Sequence, residues 1–360
     1  MSDVTAALFT WLLAGLTGHA VVDATFRGRD LTRMERLAWS MLAGAALVPT
    51  ALFMASVAGM PLQPRTVAVL LGALAFPGAF ALFRPQAARA QIDNPGPLDW
   101  LESGGVLTVF LLVGFGMWLA CAIPMNTFDA TFHWAYKAKI LFHTGSVTDE
   151  AFRGVTGTVG RIQTHPDYPL LVPLLEAVSS FWTGAFSPQA SKITIACFFP
   201  LAAALIWAAA RRELGRPRAI LATLFIVGTP MYLYANVFTL QPGGEGGWAS
   251  WQRLNQGGIR TGTVLDGGAD LPVGVFLLGA VAMLRSGLGH NSSALLGLAG
   301  LFSAGAALTK NEGLGLVLPT ILAALLVSRP RRPADLVRLW PWAAALGLIV
   351  IPWLVVRSKI

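Results

Sequence analysis

Long apolar runs separated by short basic or glycine-rich breaks dominate the chain, and ten of them read as candidate membrane spans: 4–25, 37–59, 66–83, 103–123, 189–210, 218–238, 271–284, 294–308, 313–327 and 339–356. About 20 helical residues cross a hydrocarbon core. Backbone in lipid must also satisfy its own hydrogen bonds, so the pattern predicts helices rather than isolated strands. The expected fold is all-α, a polytopic transmembrane helical bundle of about ten spans with a large outer loop carrying interfacial helices. The stretch 168–186 is apolar enough to resemble another span, yet prolines open it and Glu176 interrupts it. A full crossing there would invert the side of the basic cluster that follows, so a re-entrant or interfacial helix is expected.

The basic residues order the alternation. They cluster at Arg27, Arg29, Arg33 and Arg36, at Arg84 and Arg89, at Arg211, Arg212, Arg216 and Arg218, at Arg285, and at Arg329, Arg331, Arg332 and Arg338. Placed on the cytoplasmic side, these clusters give a consistent topology. Segments 124–188 and 239–270 and the turn around Lys310 then face the opposite side. Arg357 and Lys359 follow an outward-going helix, which fits a chain that continues beyond this sequence. The first apolar run begins beside Asp3 and leads into a basic loop, so it reads as a retained helix rather than a cleaved signal.

Composition agrees with this reading. Apolar residues make up 55% and charged residues 12% of the chain, with a mean hydropathy of +0.62, far from the roughly 25% charge of a soluble domain. The net charge of +8 and pI near 10.1 follow from topology, so no nucleic-acid partner is inferred. Cys121 and Cys197 both lie in apolar segments and offer neither a disulfide framework nor a CxxC metal site. No short-period repeat occurs.

Candidate chemistry collects on the outer segments. In 128–142, helical periodicity puts Asp129, His133, Tyr136 and Lys137 on one stripe about 100° wide, with aromatic and aliphatic residues around the rest. That pattern suits an interfacial helix with Asp129 facing a cavity, or an Asp129 that merely caps the helix. Prolines 166, 169 and 173 hold His165 and Asp167 in a fixed turn; a plain surface turn is the alternative. Asp266 and Asp270 precede an apolar span, where Asp270 is either a site residue or an N-cap before Leu271 and Pro272. Lys310, Asn311 and Glu312 interrupt an apolar hairpin. Ionisable groups so close to hydrocarbon are expensive and usually functional, although Lys310 and Glu312 can also simply pair. Carboxylates beside fixed cations at a bilayer surface supply a base for an acceptor and positive charge for a departing phosphate.

The order of these motifs resembles the GT-C superfamily of integral-membrane glycosyltransferases, which includes the protein O-mannosyltransferases and the lipid A aminoarabinose transferases. The resemblance rests on Asp129 in the first large outer loop, the His165-Pro166-Asp167 turn, Asp270 opening a later span, and Leu308-Thr309-Lys310 with Gly313. It covers roughly residues 103–327, leaving 1–102 as an N-terminal extension of three helices and 328–360 as a basic loop with a last helix. Ala130 stands where a second acid is common, and Asp167 where a second proline is. Those departures bear on the acceptor and on metal dependence, so a divalent metal stays open and no other cofactor is inferred.

The resemblance implies inverting transfer of a sugar from a polyprenyl phosphate-linked donor to a glycan, lipid or protein acceptor on the non-cytoplasmic face. Asp129 is the expected general base, with Asp270 as its competitor and His165 as a further catalytic candidate. Lys310 is expected at the donor phosphate, ahead of Lys137 and Arg260, with His133, Tyr136, Asp167, Asp266 and Glu312 in support. The expected setting is a bacterial inner membrane with the site facing the periplasm or exterior. A transporter or flippase of a lipid-linked or anionic substrate is the rival class, and a membrane scaffold subunit the third.

Overall fold

A computed structural model describes residues 1–27, 31–83, 97–125, 127, 129–152, 168–229, 267–328 and 337–358. The described residues are helical, with no strand among them. In chain order the α-helices are α1 (Asp3–Thr25), α2 (Arg33–Val57), α3 (Pro64–Leu82), α4 (Trp100–Ala122), α5 (Tyr136–Thr144), α6 (Leu171–Thr183), α7 (Pro188–Ala196), α8 (Phe198–Leu214), α9 (Arg216–Val227), α10 (Asp270–Gly289), α11 (Ser293–Thr309), α12 (Asn311–Ser328) and α13 (Trp340–Arg357). A π-helical turn, Asp129–Ala135, leads directly into α5.

Seven of these segments are long and apolar enough to cross a membrane: α1, α2, α3, α4, the nearly continuous α7–α8, α10 and α13. They mark an integral membrane protein. Seven, rather than about ten, is the number among the described residues, and the shortfall has local causes. The run 294–308 forms α11, which at 17 residues is marginal for a full crossing. The run 313–327 lies in α12, which opens with Asn311 and Glu312 and contains Pro319. For 218–238, the 12-residue α9 (Arg216–Val227) covers only 218–227, and the remainder reaches residues outside those described.

Local sequence explains where the helices start. Ser2 caps α1 by accepting from Thr5 N–H, and capping boxes open α2 (Thr32 with Glu35) and α4 (Asp99 with Glu102). Each of those glutamates also receives an arginine. Arg212 Nε donates to Glu35 at 2.8 Å, and Arg216 reaches Glu102 at 2.6 Å. Arg36 pairs with Asp23 at 2.8 Å, and Arg285 pairs with Glu213. The C-terminal ends of α1, α8 and α10 therefore meet the N-terminal ends of α2, α4 and α9 in one belt of arginine–carboxylate pairs. The opposite end carries the π-helical turn, α5 and the N-terminus of α10.

Close helix contacts use small residues, as expected where lipid tails give no hydrophobic drive to association. A Cβ at Gly44 in α2 would fall 1.7 Å from the Ala14 carbonyl oxygen, and one at Gly78 in α3 would fall 1.7 Å from that of Leu16. Backbone thus touches backbone along α1. Residues of α1 and α2, which the sequence assigns to an N-terminal extension, share one apolar core cluster with the later helices, running from Trp11 to Val356.

The outer segments differ from the interfacial helices expected. Residues Leu171 to Phe181 of α6 are all buried, and α6 packs against α1, α2, α5 and α7. An interfacial helix would leave one face in water and the other in lipid. At 13 residues α6 is also too short to cross. It is an internal, non-crossing helix, at odds with the interfacial form of the expectation only, and is tied at one end by Trp182 Nε1 donating to Thr10 Oγ1 at 3.1 Å. The 129–144 segment is likewise not laid aromatic side down on lipid, since Trp134 and Lys137 are both buried, at 1% and 0% exposure.

Candidate functional site

The π-helical turn begins without help from the Asp129 carboxylate. Thr127 takes the capping place, its hydroxyl accepting from Ala130 N–H at 3.4 Å and its carbonyl accepting from Thr131 N–H at 3.1 Å. The Asp129 side chain is left half-exposed, with Oδ1 3.8 Å from His133 Nε2. One turn on, Lys137 Nζ donates to the Tyr168 carbonyl oxygen at 3.2 Å and lies 5.6 Å from the Tyr168 ring centroid. Trp134 stacks on the same ring with centroids 5.4 Å apart, and the His133 ring is 5.9 Å away. Tyr168, placed between prolines 166 and 169, therefore anchors three residues of this segment at once.

The second half of the cluster comes from the late helices. Asp270 does not cap α10, where Ala269 holds the cap position and no side chain bonds there. Its Oδ1 accepts from Lys310 Nζ at 3.0 Å, and Glu312 lies 3.7 Å from the same ammonium. Partial burial pulls the Lys310 pKa down. The hydrogen bond and charge of Asp270, with Glu312 and Tyr168, outweigh that effect and hold the lysine above its ordinary value. Tyr168, the anchor of the first half, thus also acts on this lysine. A further link is Gly267 (φ +95°), where a Cβ would lie 2.8 Å from Met125 Cε, 3.6 Å from Lys192 Cα and 3.8 Å from Ala130 Cβ. The approach to α10 is thus packed onto the π-helical turn and α7.

Lys192 completes the arrangement. It is fully buried on α7, and its ammonium donates to the carbonyls of Ile123 at 2.8 Å and Pro124 at 3.3 Å, just beyond the C-terminal end of α4. Three lysines (137, 192 and 310) and three carboxylates (129, 270 and 312) therefore share one end of the bundle, with His133 beside them.

Of the residues expected from sequence, Asp129, His133, Lys137, Asp270, Lys310 and Glu312 lie at this end, and Tyr136 is half-buried on α5. His165, Asp167, Asp266 and Arg260 lie outside the described residues. His133 and Lys137 are buried while Asp129 is exposed, so the predicted single stripe is split. Its projection assumed a regular α-helix, whereas the segment begins with a wider π-helical turn. Sequence reasoning passed over Lys192, hidden in the candidate span 189–210, and Tyr168. The signal for each was slight: one lysine in an apolar run, and one aromatic within a proline-rich turn.

Among the described residues no group of three or more His, Cys, Asp or Glu side chains is placed to hold a metal ion. The Asp129–His133 and Asp270–Glu312 pairs each fall short of such a set, so no step is derived through a metal. The chain matches no protein-family model, no curated protein and no solved structure.

Proposed function

We propose that the chain is a membrane glycosyltransferase. In this reading it moves a sugar, with inversion, from a polyprenyl phosphate-linked donor to an acceptor on the non-cytoplasmic face of a bacterial inner membrane. One observation carries the reading: the Asp129–His133 pair and the Lys310–Asp270–Glu312 trio lie at the end of the bundle away from the arginine belt, where the approach to α10 packs onto the π-helical turn. An exposed carboxylate suits removal of a proton from an acceptor hydroxyl as the new glycosidic bond forms. A lysine ammonium suits the polyprenyl phosphate that leaves as the old bond breaks. Lys310 is already clasped by two carboxylates, so an incoming phosphate competes with Asp270 for it. The motif order resembling the GT-C superfamily adds to this reading.

The test is release of polyprenyl phosphate from polyprenyl phosphate-sugar donors by the purified chain in proteoliposomes supplied with a membrane lipid and glycan extract. Lys310→Met keeps much of the stem and removes the charge. It is expected to weaken donor binding about tenfold to a hundredfold, the worth of one charged hydrogen bond. Unchanged donor affinity in that variant removes Lys310 from the phosphate.

A second reading, a transporter or flippase of a lipid-linked or anionic substrate, is favoured by Glu176. Its carboxyl is fully buried in α6 and neither oxygen has a hydrogen-bond partner. Ionisable groups inside membrane bundles often mark proton or ion pathways. Movement of a lipid-linked donor across the vesicle bilayer without its cleavage would favour this reading over transfer.

A further inference from the structure

The seam between α1 and α2 opens, toward the arginine belt, into a groove of about 550 Å³. Leu12 and Leu16 of α1, Leu37 and Met41 of α2 and Leu82 of α3 supply its apolar walls. Leu12, Leu37 and Leu82 are each more than half exposed, so the groove opens sideways, where acyl chains lie in a bilayer. From Trp11 to His19 it follows α1 over eight residue steps, about 12 Å at 1.5 Å per residue.

The polar groups gather at one end. His19 lines the groove at 6% exposure; its Nδ1 meets Ser40 Oγ at 3.3 Å, while Nε2 has no partner. Arg36 pairs with Asp23, yet its buried Nε is also without a partner. Arg33 stands exposed in the first turn of α2 and makes no ion pair among the described residues. Among the described residues the mouth thus offers one cation without an ion pair and two unmet ring or guanidinium nitrogens above an apolar trough.

We propose that this groove binds an anionic phospholipid of the leaflet on the arginine-belt side. One acyl chain lies along Leu12, Leu16 and Met41, and the phosphodiester meets Arg33, Arg36 Nε and His19. Charge decides among lipids. A phosphodiester with an uncharged headgroup brings one negative charge to the one lining cation without an ion pair among the described residues, whereas a phosphomonoester brings about two. A zwitterionic headgroup would add an ammonium beside Arg33. The site lies at the opposite end from the proposed transfer and does not depend on it.

The experiment is native mass spectrometry of the full chain titrated separately with phosphatidylglycerol, phosphatidylethanolamine and a polyprenyl phosphate. Phosphatidylglycerol is expected to be retained in preference to the other two. Arg33→Gln should weaken it about fivefold, the size of one basic side chain acting at an anionic membrane surface. Gly15→Leu fills the groove. A Cβ at Gly15 meets only Met41 Cγ, at an ordinary 3.7 Å, so this variant is expected to melt like the wild type while losing the adduct. Equal retention of phosphatidylglycerol and phosphatidylethanolamine, or phosphatidylglycerol binding unchanged in a folded Gly15→Leu chain, would overturn the proposal. Preferential retention of the polyprenyl phosphate would overturn it too, and assign the groove to that lipid.

Discussion

Asp129→Asn is expected to lower turnover of sugar transfer about 10²–10⁴-fold, the usual contribution of a general base. The amide keeps the shape of the side chain and removes its basicity. Asp129 fits the role better than Asp270 because of their partners. Lys310 donates to Asp270 Oδ1 at 3.0 Å, so this carboxylate already serves to hold the lysine. Asp129 lies 3.8 Å from the His133 ring, which carries charge only when protonated, and the carboxylate is half-exposed. Asp270→Asn is therefore expected to act mainly on donor binding, through a loosened Lys310, with a smaller effect on the rate at saturating donor. Both variants are measured in lipid, with folding checked by thermal melting. Near-normal turnover in Asp129→Asn, with an inactive Asp270→Asn, would make Asp270 the base.

Glu176 gives the largest expected effect on stability. Burial alone pushes its carboxyl well above the ordinary value of 4.5. The folded chain therefore holds this proton over a range in which the unfolded chain has released it. The contribution to stability is fully present below about pH 4.5 and is lost as pH rises from there toward the raised folded value. The loss reaches at most about 1.4 kcal/mol per pH unit. Glu176→Gln has a similar shape and does not titrate. It is expected to flatten the pH dependence of the melting temperature above pH 5 and to melt higher than the wild type at pH 8. Parallel curves for the two chains would mean that Glu176 finds a partner or water on folding.

The helices that cross the bundle were the most legible part of the sequence. The run 4–25 became Asp3–Thr25, and 103–123 became Trp100–Ala122, because a bilayer-length apolar stretch ends where polar caps begin. Burial was much less legible. The stretch 168–186 has the same composition whether it faces lipid or protein, since leucine and valine suit both, and only packing against α1, α2, α5 and α7 distinguishes them. The clustered acids and bases were visible one motif at a time, but their pairings were not. Nothing local to Asp270 indicates that Lys310, 40 positions away, will bind it. Nor does an assumed α-helical period reveal a π-helical turn, which put His133 and Lys137 inside while Asp129 stayed out. Lys192 was concealed because one lysine barely changes the hydropathy of a 22-residue run.

The cluster opposite the arginine belt as the seat of a lipid-linked phosphate is tested most directly by a structure of the chain with a polyprenyl phosphate bound. The account predicts the phosphate beside Lys310, with the lysine drawn from Asp270, and Asp129 facing the space from which an acceptor would approach. A phosphate held at the arginine belt or in the α1–α2 groove, with Lys310 still clasped by Asp270 and Glu312, would contradict it.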